Sequence, residues 1–242
     1  KDARDAVVAA RAAFPTWSGA TAYLRGQVLY RAAEMMEGRR AQFVDEVAAA
    51  EGLATPGAAA VVDAAIDRWV WYAGWTDKLA SVHGSANPVA GPFFSFSIPE
   101  PTGVVAVLAP QASSLLGLVS VLAPVLATGS TAVVVTSRDR PVPAVSLAEV
   151  LATSDLPGGA CNILTGSAAE LAPWLAGHLD VNAVDLTGVD DPELAASLEA
   201  EAAVNVKRVR RPDPGEELAA DPGLGRMTWL LEVKTVWHPV GI

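Results

Sequence analysis

Residues 103–137 read GVVAVLAPQASSLLGLVSVLAPVLATGSTAVVVTS, with no Asp, Glu, Lys, Arg or His among them. Two structures suit such a run. A bilayer span needs ~20 uninterrupted apolar residues, whereas a β-α-β unit in a sheet covered on both faces is apolar along each of its short elements. Here Pro110, Gln111, Ser113 and Ser114 break the run, then Pro124, then Gly129 and Ser130. The pieces left are Val104–Ala109, Leu115–Ala127 and Thr131–Val135. Their lengths predict strand, helix, strand, and no membrane segment is expected.

Outward from this unit the rhythm continues. Further strands are predicted at Cys161–Leu164, Ala183–Leu186 and Val206–Arg210, and helices at Pro143–Thr153, Ala168–Gly177 and Pro192–Val204. Alternation of this kind predicts an α/β fold with a doubly wound, mainly parallel sheet over residues 103–211. Residues 1–80 predict N-terminal helices packing on that sheet. Tyr23, Val28, Leu29, Ala32 and Met36 recur near helical spacing, as do Phe43, Val47 and Ala50. Thr55 is placed to cap a helix with Pro56 in its first turn, running to about Leu79 with Ile66, Trp69, Val70 and Ala73 on one stripe. Trp69, Trp71, Tyr72 and Trp75 suit packing on the sheet, and also on another subunit. Residues 81–102, with Asn87-Pro88, Gly91-Pro92, then Phe93, Phe94, Phe96 and Ile98, predict a β-ribbon arm. Residues 212–242 open with Pro212-Asp213-Pro214-Gly215, break again at Pro222-Gly223, and close with a strand over Met227–Trp237 ending at His238-Pro239.

Composition narrows the function. The 242 residues are 51% hydrophobic and 18% charged, against ~25% charged in average domains, and the mean hydropathy is +0.31. Disorder is excluded, and a single cysteine excludes a disulfide scaffold. The formal charge of −10 opposes nucleic acid and anionic membrane partners. Within it, Lys207-Arg208-Val209-Arg210-Arg211 is expected to be a solvated strand end or a source of intersubunit ion pairs. His83, His178 and His238 are scattered, so no metal site is expected. Lys1–Ala10 is a charged helical start rather than a signal peptide, and Lys1 is not expected to be the biological start.

Several segments, in order, resemble the aldehyde dehydrogenase superfamily. Glu100-Pro101-Thr102-Gly103-Val104-Val105 begins the likeness. Ala123–Thr131 is similar to the family's APALAxGNT segment, Leu156–Gly166 to LPxGVxNxVxG, Leu186-Thr187-Gly188 to FTG, and Asn205–Val209 to NLKRV. Ala13–Trp17, Tyr72–Leu79 and the terminal strand Glu232–Val236 also fit. The resemblance implies a Rossmann-like cofactor domain with an oligomerisation arm and a C-terminal strand.

The functional positions depart from the family. Its oxyanion-stabilising Asn falls on Ala112, which has no side-chain N–H to offer. The Lys and Glu that contact the adenosine ribose fall on Val135 and Arg138. After the FTG turn, Asp190-Asp191-Pro192-Glu193 supplies good helix-capping chemistry but would meet a pyrophosphate with like charge. Past Val209 there is neither the ELGGK segment bearing the general base nor the domain bearing the nucleophilic thiol, and Cys161 reads as a small buried apolar residue.

These departures imply a catalytically inactive member with no catalytic, cofactor-binding or metal-binding residues and no bound cofactor. The closest likeness is to the inactive second module of two-module aldehyde dehydrogenases. Such a protein is expected to assemble in the cytoplasm with an active aldehyde dehydrogenase subunit, or with itself, through Phe93, Phe94, Phe96, Leu231, Val233, Thr235 and Trp237. Two alternatives remain open: a residual NAD(P)-binding sensor, or part of an NAD-dependent aldehyde dehydrogenase whose catalytic residues lie in another module.

Overall fold

A computed structural model of the chain describes residues 1–213 and 215–241. Pro214, inside the predicted break at 212–215, and Ile242 lie outside the described residues. Five helices come first: α1 (Asp2–Gly19), α2 (Ala22–Gly38), α3 (Arg40–Glu51), α4 (Thr55–Ala73) and the short α5 (Leu79–His83). Then follow β1 (Ser85–Asn87), β2 (Phe93–Pro101), β3 (Val104–Leu108), α6 (Leu116–Thr128), β4 (Thr131–Val135), α7 (Val142–Ala152), β5 (Cys161–Leu164) and α8 (Ala168–Ala176). The chain continues through β6 (Ala183–Asp185), α9 (Pro192–Ala203), β7 (Arg208–Arg210), α10 (Gly225–Thr228) and β8 (Leu231–Pro239).

Five strands form one parallel sheet in the order β5-β4-β3-β6-β7. Side chains alternate across it. Val104, Ala106, Leu108, Val133 and Val184 pack toward α1, α8 and α9, while Val105, Val107, Ala132 and Val134 pack toward α2, α4, α6 and α7. Both faces are therefore covered, so the strands need no polar face and every residue of β3 and β4 is buried. Helix α6 is buried on all sides, as a helix apolar all round must be. It ends at Gly129, whose φ of 92° is one that L side chains rarely adopt. The uncharged stretch is thus strand, helix, strand, and no helix among the described residues is long and apolar enough to cross a membrane.

Several local expectations are corrected. Helix α4 stops at Ala73, because Gly74 to Lys78 turn before α5 begins. Thr55 is its first residue and makes no cap; Ala54 holds the cap position without a side-chain bond. The buried stripe of α4 runs through Val62, Ala65, Ile66, Trp69 and Tyr72, which leaves Val70 on the solvent side. Tyr23 is likewise exposed. Strand β7 starts later than expected because the turn before it holds Val206 at φ 57°, unusual for a β-branched residue. Met227 lies in α10 rather than in a strand.

Candidate functional site

In an open parallel sheet, ligands bind beyond the carboxyl ends of the strands where the order reverses, here between β3 and β6. The two loops there are drawn together. Gly188 N donates to Leu108 O at 2.8 Å, and a Cβ at Gly188 would lie 1.9 Å from Ala109 O, so only glycine fits. Gln111 ties the β3 loop to the β4 loop. Its Nε2 donates to Ala109 O at 2.8 Å, its Oε1 accepts from Arg138 N at 3.0 Å, and its carbonyl accepts from Ser137 Oγ at 2.8 Å. Ala112, at the oxyanion position, contributes only a carbonyl, which accepts from Arg140. Val135 is fully buried in β4 between Leu108 and Leu164, where it packs in the core on the α1 and α8 side of the sheet.

A carboxylate holds the N-terminus of α9, and another lies in the loop ahead of α6, where Gly117 N donates to Ser113 Oγ at 2.8 Å. Glu51 Oε1 accepts from Ser114 N at 2.7 Å and from Ser114 Oγ at 2.8 Å, just ahead of α6. At α9, Asp191 Oδ1 accepts from Glu193 N at 2.9 Å, and Pro192 has no N–H to give. A pyrophosphate needs free backbone N–H groups at the positive end of a helix dipole. These residues do not fit one.

Sequence reading missed what closes the carboxyl end of β6. Asp185, 1% exposed, pairs with Arg226 of α10 at 3.0 Å. Arg226 also pairs with Glu216 at 2.6 Å, and Glu216 in turn with Arg210 of β7 at 3.0 Å. Thr187 donates its N–H and hydroxyl to Asp185 Oδ1, and Arg226 Nη2 donates to Thr187 Oγ1 at 3.1 Å. The segment after β7 is thereby folded back over the sheet. The signal was present: an Asp in an otherwise apolar predicted strand needs a buried partner.

The basic run finds carboxylates within the chain, and its end stays solvated as expected, with the Arg211 side chain 77% exposed. Arg208 makes a bidentate pair with Glu232 of β8 at 2.6 and 2.8 Å, and Arg211 pairs with Glu199 of α9 at 2.7 Å. Cys161 is half-buried in β5, and desolvation of its thiol pushes it up to about 12, so it stays protonated. No group of three or more His, Cys, Asp or Glu among the described residues is placed to hold a metal ion.

The residues expected at an interface sit on a second sheet, antiparallel, in the order β1-β2-β8. They are divided between its faces. Phe94 and Phe96 share one face, ring centroids 5.4 Å apart. Phe93 and Trp237 meet edge to face at 5.7 Å on the other, where Val233 and Thr235 also lie and Thr235 Oγ1 bonds Ser97 Oγ at 2.8 Å. Trp237 and Val233 are 59% and 65% exposed, whereas Leu231 is buried against the main core and is withdrawn from that set. Strand β8 has one edge paired with β2 and the other open among the described residues. The aromatic helix divides too: Trp69 and Tyr72 are spent in the chain's own core, and Trp71 and Trp75 are half-buried beside it.

Known proteins place this arrangement. A sequence profile described as the Aldehyde dehydrogenase family matches residues 1–211. The cytosolic aldehyde dehydrogenase 1 of Elephantulus edwardii is 31% identical over 214 residues, covering 86% of this chain and 42% of that protein. The mitochondrial aldehyde dehydrogenase of Homo sapiens is 33% identical over 219 residues, covering 86% and 40%. Among solved structures, betaine aldehyde dehydrogenase from Staphylococcus aureus in complex with NAD+ superposes with a TM-score of 0.80 at 28% identity, covering 86% of this chain and 41% of that one. This chain therefore spans well under half the length of the relatives it matches, and it belongs to the aldehyde dehydrogenase family.

Proposed function

We propose that this chain is a catalytically inactive aldehyde dehydrogenase-like subunit that assembles with an active aldehyde dehydrogenase, or with further copies of itself, as a structural or regulatory component. One observation carries the reading. Between β7 and β8, where the resemblance calls for a general base and a thiol nucleophile, there are only residues 211–230, of which Glu216 and Arg226 pair with Arg210 and Asp185 of the sheet. Covalent catalysis of this kind requires a thiolate beside a base, and the one cysteine is half-buried in a sheet with its thiol protonated. The carboxylate capping α9, and Glu51 in the loop ahead of α6, support a chain that takes no dinucleotide.

The assembly surface in this reading is the three-stranded sheet. Phe93, Phe94, Phe96, Val233, Thr235 and Trp237 offer apolar and hydroxyl contacts on two faces, and the open edge of the nine-residue β8 is a template for another strand. Residues 1–80, 81–102, 103–211 and 212–242 then serve as helical cover, arm, sheet scaffold, and linker with closing strand. A cytoplasmic site accords with the cytosolic name of one relative.

Co-expression with an aldehyde dehydrogenase from the same genome, followed by size-exclusion chromatography with light scattering, tests this. Co-elution or a self-oligomer is expected; a monomer that captures no active enzyme sinks the proposal. The strand order, shared with dinucleotide-binding sheets, favours a second reading as an NAD(P)-binding sensor. Calorimetry decides, since saturable micromolar binding of NAD or NADP would replace the first reading by the second.

A further inference from the structure

A cavity of about 230 Å³ lies between the returning segment and the helices beneath it. Arg68 and Tyr72 of α4, Arg210 of β7 and Arg226 of α10 line it. Two of its three guanidiniums are matched by carboxylates, because Arg210 pairs with Glu216, which also lines the cavity, and Arg226 pairs with Glu216 and Asp185. Arg68 is not. It is 6% exposed, and it donates to Ser120 Oγ at 3.0 Å and to Ala220 O at 2.8 Å, both neutral acceptors. Its burial lowers its pKa, the mark of a charge held away from water. Glu217 and Asp221 also border the cavity, from exposed positions where solvent screens them.

Two donors bordering the same space are unused. Tyr72 is fully buried, and its hydroxyl has no partner among the described residues; the same holds for Arg210 Nε. The Tyr72 hydroxyl lies in the field of Arg226, Arg68 and Arg210, yet burial outweighs them and pushes it up to about 12. It therefore remains an O–H donor at neutral pH. Arg68 feels the exposed carboxylate of Asp221 but bonds only neutral acceptors, and a buried cation without a bonded counter-charge and buried donors without acceptors are each costly. One negatively charged acceptor would satisfy all of them.

We propose that this cavity binds a small, singly charged oxyanion, a carboxylate of a few carbons or inorganic phosphate, held by the Arg68 guanidinium, the Tyr72 hydroxyl and Arg210 Nε–H. At roughly 30 Å³ per water in the liquid, the space suits an anion of several heavy atoms and not a nucleotide. The site is formed wholly by this chain and does not depend on the assembly reading.

Thermal unfolding of the full chain tests it, with sodium acetate and sodium phosphate titrated separately against sodium chloride at matched ionic strength. A saturable Tm rise of about 2–4 °C is expected from at least one of them. A rise with acetate alone assigns a carboxylate, and with phosphate alone a phosphate. Tyr72→Phe keeps the ring and removes a hydroxyl that has no protein partner. It should leave the anion-free Tm unchanged or higher and weaken the anion response about tenfold, as loss of a hydrogen bond to a charged group does. Arg68→Gln should abolish the response; should that variant fail to fold, Tyr72→Phe decides alone. No rise beyond that with chloride, or a rise that Tyr72→Phe retains in full, overturns the site.

Discussion

The parallel sheet and the antiparallel one are both poor in charge, for different reasons. Strands β3 and β4 read Val-Val-Ala-Val-Leu and Thr-Ala-Val-Val-Val, and helices on both faces bury every residue of them. Strands β2 and β8 carry Phe93, Phe94, Phe96, Val233 and Trp237, and most of that surface stays exposed on two faces. The apolar content of the first sheet is accounted for inside the chain. That of the second is not, and it is this open apolar surface that the proposed assembly would cover. Between them lies a seam of ion pairs: Asp185–Arg226–Glu216–Arg210 ties the returning segment to the first sheet, and Arg208–Glu232 joins β7 to β8 of the second.

The sharpest way to break the contrast is to cut the buried part of that seam. Arg226→Met leaves Asp185, 1% exposed, as an uncompensated buried charge. A loss of about 3–5 kcal/mol is expected by urea denaturation. Adding Asp185→Leu should recover much of it, since an apolar pair of similar volume replaces a buried ion pair at little cost. If Arg226→Met costs under about 1 kcal/mol, the seam is not what closes the sheet. A comparable loss, about 2–5 kcal/mol, is expected for Leu122→Ala in the fully buried α6.

The first sheet was legible because its pattern is local. Uncharged runs of strand and helix length, bounded by Pro and Gly, placed β4 and β5 to the residue and the other elements closely. The ribbon was legible from its turn residues and the Phe cluster. What stayed hidden is non-local. Asp185 and Arg226 are far apart in sequence and meet only through the return of the segment after β7. Gln111 looked like a mere interruption and proves to be the bridge between two loops. The partners of the basic run were hidden for the same reason, as each Arg finds its carboxylate on a different element. The capping of α9 by Asp191 was legible, because a cap and its target lie two residues apart.

Tyr72 sharpens the account of the seam through pH. Its phenol titrates near 10 when unfolded and at about 12 in the folded chain, raised by burial. A raised folded pKa contributes stability that is complete below pH ~10 and is lost as pH climbs toward ~12. That component is on the order of 2 kcal/mol. Tyr72→Phe should match the wild type at pH 7 and lose less stability between pH 10 and 12. Parallel curves for the two proteins would place the hydroxyl in water. A smaller effect, about 1 kcal/mol, is expected for Asp191→Ala, which removes the cap of α9. Chemical denaturation measures it, and an unchanged midpoint would mean that the cap contributes nothing.

The smallest effect on stability carries the most weight for function. Phe94→Ser and Trp237→Ser each remove an exposed aromatic from opposite faces of the ribbon, at 52% and 59% exposure. Exposed side chains of this kind change the stability of the isolated chain by only about 0.5 kcal/mol. The same pair of changes should nonetheless lower the mass seen by light scattering from an assembly to a single chain, because buried aromatic anchors dominate interfaces. Each variant alone reports which face is used. Loss with Phe94→Ser but not Trp237→Ser puts the partner against the Phe94–Phe96 face, and the converse puts it against the Phe93–Trp237 face. An assembly that survives the double substitution leaves the aromatic faces without a role and moves the contact to the open edge of β8, where main-chain pairing tolerates side-chain change.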